Sequence, residues 1–344
     1  MKLIKLYLSI LFIGLVAHSY SQNFKNASEY LDFVGKEHTA ISRSMWNYTK
    51  AIAHSKRDKT IRGKRNVLIK TMERSIGKIQ KANGFDGDDY KNKVLKQLNF
   101  NLDLLNHDYA KIIDMKEVAE QSYDLMEAYM LAQEMADKKM EEAQQQYETD
   151  FYAFANKHNI NIVESNTDLS KKMEISNEVF KHYNEMYLTY FKVYINEIHL
   201  MDALGTSDLG AIEQSANALS ETANEGLEKI STHKVYKGDK SIINITKEAF
   251  VFFKDEAENK VSKMIDFLLL QENFNTIKNT LDRIPERKRT KAQIDNYNEQ
   301  VNLLNKGVKD YNKINTDLNK KRNILINKLN TANERFLAKH IPNE

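Results

Sequence analysis

Residues 297–336 read YNEQVNLLNKGVKDYNKINTDLNKKRNILINKLNTANERF. Within them Tyr297, Val301, Leu304, Val308, Tyr311, Asn315, Leu318, Arg322, Leu325, Leu329, Ala332 and Phe336 follow at alternating spacings of four and three. An α-helix brings such positions onto one face, and a seam this long is the pattern of a bundle or coiled-coil helix. At 1.5 Å per residue, a helix of about fifty residues reaches roughly 75 Å. Asn298, Asn302, Asn305, Asn312, Asn319, Asn323 and Asn330 run beside the seam. Asn is a mediocre helix former, so packing rather than propensity must hold this segment.

The same reasoning extends over the rest of the chain. Only 11 Gly and 2 Pro occur, with 29 % charged residues, a composition that disfavours strands and long loops and points to an all-α long-helix bundle. Breakers and polar clusters divide it into about eight helices. The first, 26–54, carries Leu31, Val34, Ile41, Met45 and Tyr48 at helical spacing, and the second, 57–83, stops at Asn83-Gly84. A third, around Leu95 to Ile112, is expected to run almost unbroken into a fourth, 117–158, and 159–168 loses the period as a linker. Helices five (169–203), six (to about Thr232), seven (ending near Pro285) and eight complete the chain.

The halves read as two tandem four-helix units, 22–160 and 161–344. Each has an aromatic-x-Gly-Asp turn after its second helix, Phe85-Asp86-Gly87-Asp88 and Tyr236-Lys237-Gly238-Asp239. Each also carries a Phe-x-x-Lys-His end, at Phe154 to His158 and Phe336 to His340. One continuous eight-helix body predicts the same helices.

Residues 1–21 read as a signal peptide. Lys2 and Lys5 form a basic start, Leu6 to Ala17 an apolar run, and Ser19-Tyr20-Ser21 a cleavage site before Gln22. The run is shorter than the roughly twenty residues that span a bilayer. The expectation is an exported chain, in the periplasm, at the cell surface or secreted, with no integral membrane segment once cleaved. No Cys is present for a lipid anchor or a disulfide, so packing must stabilise the fold. Removing residues 1–21 takes the formal charge from +3 to +1, which makes no case for nucleic acid. Residues 56–81 nevertheless hold ten basic and two acidic residues, and 117–150 ten acidic and two basic. Compensation between helices two and four inside the molecule is the expected reading.

Motifs for chemistry are not found. No His is preceded at i−3 by an acid, as a ferritin-like di-iron site requires. Glu178 with His182, or Glu37 or Glu197 with a neighbour, are the nearest approach to metal ligands, and a polar helix pair is the more ordinary reading. No nucleophile elbow or phosphate-binding loop appears, and Glu141-Glu142 reads as a solvated face. The sequence therefore assigns no catalytic residue, no metal and no cofactor. The stripe of Tyr183, Tyr187 and Phe191 on helix five could line an apolar ligand groove, although core packing explains it as well. Met126, Met130, Met135 and Met140 pose the same choice on helix four.

Ser28-Glu29-Tyr30-Leu31-Asp32-Phe33-Val34 and Phe154-Ala155-Asn156-Lys157-His158-Asn159-Ile160, with the signal, resemble an uncharacterised group of exported helical surface proteins of Bacteroidota and spirochaetes. The resemblance implies a cell-envelope location and carries no activity. The expected function is a non-enzymatic envelope or surface protein acting through protein–protein contact or self-association. The alternative is a periplasmic binding protein holding an apolar ligand between helices.

Overall fold

A computed structural model describes residues 23–55, 57–162 and 167–343, so the signal-peptide reading and part of the linker lie outside the described residues. The described chain is all-α, a bundle of eight helices. They are α1 (Ala27–His54), α2 (Asp58–Lys81), α3 (89–119), α4 (Tyr123–Lys157), α5 (Asp168–Thr206), α6 (Leu209–Ser231), α7 (241–282) and α8 (Lys291–His340). At five of the eight starts a side chain closes an open N–H group, the starts of α2, α3 and α7 being the exceptions. Asn26 accepts from Glu29 N at 2.8 Å, Ser122 from Leu125 N at 3.3 Å and Asp208 from Ala211 N at 3.1 Å. Thr290 and Gln293 form a reciprocal capping box at the start of α8. The expected near-continuity of α3 and α4 does not hold, because the Ser122 cap starts a new helix.

Helices α3 and α7 share a further feature. Each begins with fifteen α-helical residues, Asp89–Asp103 and Ser241–Asp255, and then passes through a five-residue π-helical turn, Leu104–Asp108 and Glu256–Lys260. In each the last residue before the turn is an aspartate bonded four residues on, Asp103 to His107 at 2.7 Å and Asp255 to Asn259 at 3.0 Å. The two Gly-Asp turns also match. Asp86-Gly87 and Lys237-Gly238 take positive φ, 54° and 88° against 45° and 78°, which is the pattern of a tight turn that Gly relieves. The helix ends named in the sequence close onto these turns. Lys157 and His158 meet Asp86 at 2.7 and 3.7 Å, while Lys339 and His340 meet Asp239 at 2.8 and 2.9 Å. In both, the turn's aromatic lies edge-on to the histidine, Phe85–His158 at 5.3 Å and Tyr236–His340 at 5.1 Å.

Two main cores fall on either side of the 159–168 connection. Tyr30, Val34, Ile79, Tyr90, Val94, Leu98 and Phe154 centre the first. Leu200, Ile212, Leu219, Phe250, Phe253, Leu329 and Phe336 centre the second. They are not independent, because Trp46, on the C-terminal part of α1, is buried in the second core and Ala53 packs against it. Lys50 of the same helix donates to Asn343 O at 3.2 Å.

The α8 seam holds from Leu318 to Phe336 but drifts before it. Val308 is 40 % exposed and Asn315 is exposed, and Gly307 and Ile314 take their places. A straight helix advances about 20° per heptad relative to a strict 3.5-residue repeat. At Gly307 the missing side chain lets the Phe267 ring of α7 come so close that a Cβ would lie 2.9 Å from it. The seven asparagines flanking the seam are all exposed, and Asn319 alone among them reaches inward, accepting from Arg322 Nη1 at 2.6 Å.

Candidate functional site

The aromatic stripe of α5 packs against α4 and the end of α3. Tyr187 and Phe191 meet Ala119, Met126, Tyr129 and Met130 there. Tyr183, Tyr187 and Phe191 stack in sequence, at 6.0 and 6.1 Å between rings. Burial pushes the hydroxyls of Tyr183 and Tyr129 up, that of Tyr183 to about 12. These are groups held among protein atoms, and the stripe joins helix to helix.

The four methionines of α4 do not share a face. Met126 and Met130 meet α5, Met140 turns to the cluster of Leu68, Met72 and Leu105, and Met135 is 55 % exposed.

A pair of buried carboxylates was partly visible in the sequence, as an arginine on an apolar seam. Arg322 of α8 reaches Glu197 of α5 through Nε and Glu256, in the π turn of α7, through Nη2. All three side chains are buried, Glu256 completely. Two acids share one guanidinium, so the cluster would carry net negative charge in a medium that disfavours it. Burial accordingly raises Glu256 to about 7 against the pull of Arg322, and raises Glu197 in the same way. Glu256 Oε2 is left without a hydrogen-bond partner. This arrangement ties three helices together and can hold a proton near neutral pH. With every member enclosed, it offers no substrate a way in.

The sequence candidates for metal ligation are engaged elsewhere. Glu37 accepts from Ser75 Oγ at 2.8 Å and Lys78 Nζ at 2.7 Å, and Glu197 is paired as above. Glu178 faces Tyr236 OH at 3.5 Å, whereas His182 stacks near His233 and Phe336. Among the described residues no three His, Asp or Glu side chains group so as to hold a metal ion.

Two surfaces remain. The first is the distal part of the α7–α8 hairpin. Before Leu318 no α8 side chain is buried, and on α7 beyond Met264 only Leu281 is. The hairpin is held by its own rungs, Phe267–Tyr311 at 4.8 Å and Phe274–Tyr297 at 5.6 Å. A groove of about 690 Å³ runs beside Gly307, between Phe267, Leu270 and Tyr311, with Lys263, Lys313 and Asp310 at its rim. Leu269, Ile294 and Leu303 are 48, 42 and 44 % exposed along the arm. Its tip carries Arg283, Arg287, Lys288 and Lys291 in the open.

The second surface corrects an expectation. Helix α2 packs on α1 and α3, and α4 on α3 and α5. Among the described residues no ion pair joins α2 to α4: Lys78 binds Glu37, Lys139 binds Asp108, and Asp150 is met by Lys93. The basic and acidic stretches therefore form no direct ion pairs with each other, because α2 and α4 both pack on α3 and leave most of their charges exposed.

No protein family, curated protein or solved structure matches this chain. Among the described residues, no helix is long and apolar enough to cross a membrane.

Proposed function

We propose that this is an exported, non-enzymatic envelope or surface protein that works by binding a protein through its helical surfaces, with the α7–α8 arm as the recognising element. The arm's packing carries the reading. Apart from Ile265 and Leu268 at its base, which pack on the second core, side chains on its inner seam cover one another, and Leu269, Ile294 and Leu303 stay open on its sides. A two-helix arm holds little buried apolar area for its length, and a partner's surface supplies the missing cover. The cationic tip favours an approach to acidic groups.

Photo-crosslinkers placed at Leu269 and Leu303, with one at exposed Lys229 as control, test this in the cell envelope. One defined protein adduct from the arm positions and none from the control is expected. Equal labelling everywhere, or none, overturns the proposal. Native mass spectrometry of the protein from the same envelope is expected to show no small molecule. A retained apolar ligand would move attention to Tyr183, Tyr187 and Phe191.

A further inference from the structure

We infer that a second copy of this chain is the partner for the outer faces of α2 and α4, the basic face of one molecule seating on the acidic face of the next. The inference rests on the reading of the protein as one that acts through helical surfaces, and it uses a different surface from the arm.

The α2 face is continuous. Lys59, Arg62, Lys70, Arg74 and Lys81 recur at one to two helical turns, all exposed, and none has an acidic partner among the described residues. The α4 face is its counterpart. Asp124, Glu127, Glu134, Glu141 and Glu148 are exposed along it without a basic partner among the described residues. Their bonds are local and neutral, such as Tyr123 to Glu127 and Gln144 to Glu148 at 3.2 and 3.0 Å.

Each face also has an apolar centre. Val67 is 53 % exposed beside Lys70 and Arg74, and Leu131 and Met135 are 54 and 55 % exposed beside Glu127 and Glu134. An apolar centre within a charged rim is the usual make-up of a protein interface. Fields of opposite sign then steer the approach and set the register. A chain whose total charge is near balance thus holds its charges apart, on the outer faces of two helices whose inner sides meet one shared cluster through Leu68 and Met72 of α2 and Met140 of α4.

That separation decides the symmetry. Pairing α2 of one copy with α4 of another leaves one α2 face and one α4 face free at the ends. The contact is head-to-tail and generates rings or open chains rather than a closed dimer.

Sedimentation of the purified protein tests this with two charge-reversed forms. One carries Lys70→Glu and Arg74→Glu, the other Glu134→Lys and Glu141→Lys. All four positions are exposed, so helix content should be unchanged by circular dichroism. The parent is expected to form species that grow with concentration at about 0.05 M salt and to dissociate at about 0.5 M. Each reversed form alone should associate on the order of tenfold more weakly or not at all. Mixing the two forms restores opposite charges across every contact, so association should return. A parent that stays monomeric at low salt overturns the inference, as does a mixture that stays apart. If the arm still gives its adduct in that case, only this pairing fails and the wider reading stands. Loss of the adduct with intact self-association is the reverse case.

Discussion

The π turns of α3 and α7 start at the same distance from their helix starts and follow the same Asp, yet the side chains that fill them differ in kind. In α3 the turn brings Leu104 and Leu105 inward. Arg65 of α2 donates to the carbonyl oxygen of Leu105, one of the backbone acceptors that a π turn displaces from the regular ladder. In α7 the turn brings in Glu256 and Ala257, and the arginine comes from α8 to bind an acid. One backbone device is thus completed in two ways, by apolar packing with a satisfied carbonyl or by a buried ion cluster.

The largest separation between the two should come from removing the arginines. Arg322→Met leaves two buried carboxylates facing each other, and losing one member of a buried ionic group costs about 3–5 kcal/mol. Arg65→Met leaves a carbonyl short of one donor, a cost of about 1–3 kcal/mol. Urea unfolding monitored by circular dichroism measures both. Equal losses would mean that Arg322 balances less charge than the geometry implies.

Glycines give a smaller contrast of opposite sign. Gly226 of α6 lies against Phe250, whose ring would come within 2.6 Å of an added Cβ, whereas Gly77 of α2 has open space there. Gly226→Ala should overpack the second core by about 1–3 kcal/mol. Gly77→Ala should stabilise the first unit by about 0.5–1 kcal/mol through helix propensity. Two losses of similar size would show that α2 is packed more tightly than it looks.

The turn clasps differ less. Asp239 keeps 8 % of its side chain exposed and binds Lys339, His340 and Ser241 N. Burial pushes its carboxyl up, but those bonds outweigh it and hold the group well below the usual range. Its stabilisation is present above the unfolded value and lost as pH falls through the lowered folded one. Asn in its place should cost about 1–2 kcal/mol at neutral pH. Asp86, half of whose side chain is in solvent, should show no measurable loss on the same change. Thermal melts of the two variants decide between a clasp in each unit and a clasp in one.

How much of this was legible in the sequence depends on the range of the interaction. Helix positions, the Gly-Asp turns and the Phe-x-x-Lys-His ends are local patterns, and the fold uses them as read. The Arg322 cluster draws on residues 59 and 66 positions away from Glu256 and Arg322 respectively. Its one local trace was Arg322 itself, standing where the seam calls for an apolar residue. The π turns left no trace, because five residues of altered winding do not disturb a pattern already broken by polar positions. The expected pairing of α2 with α4 failed for a related reason. Matching charge counts say nothing about which corners of a bundle two helices occupy. The drift at Gly307 is the same lesson at short range, since a strict alternation of three and four overstates how long one face persists.

The finest distinction is a slope in pH. The molecule buries titratable groups of opposite type, whose folded values shift in opposite directions. Glu256, faced by Arg322, Glu197 and Asp255, is raised from 4.5 to about 7. Between those values the folded protein holds a proton that the unfolded chain has lost, so this group's contribution falls as pH rises through the window. His38, stacked 4.1 Å from Tyr147, is lowered by burial from 6.5 to about 4. There the unfolded chain holds the extra proton, and the contribution rises with pH up to about the ordinary value. His182, lowered chiefly by burial with His233 and His340 adding to it, acts in the same direction as His38. The opposing slopes partly cancel in the parent, so the variants must be compared with it at each pH. Glu256→Gln should gain stability relative to the parent as pH rises from 5 to 8. His38→Phe, which keeps the stack on Tyr147, should lose relative stability between pH 4 and 6.5 and hold level above that. A Glu256→Gln difference that stays flat with pH would mean the carboxyl is ionised throughout, and the cluster would then be an ordinary charged triad rather than a proton-holding one.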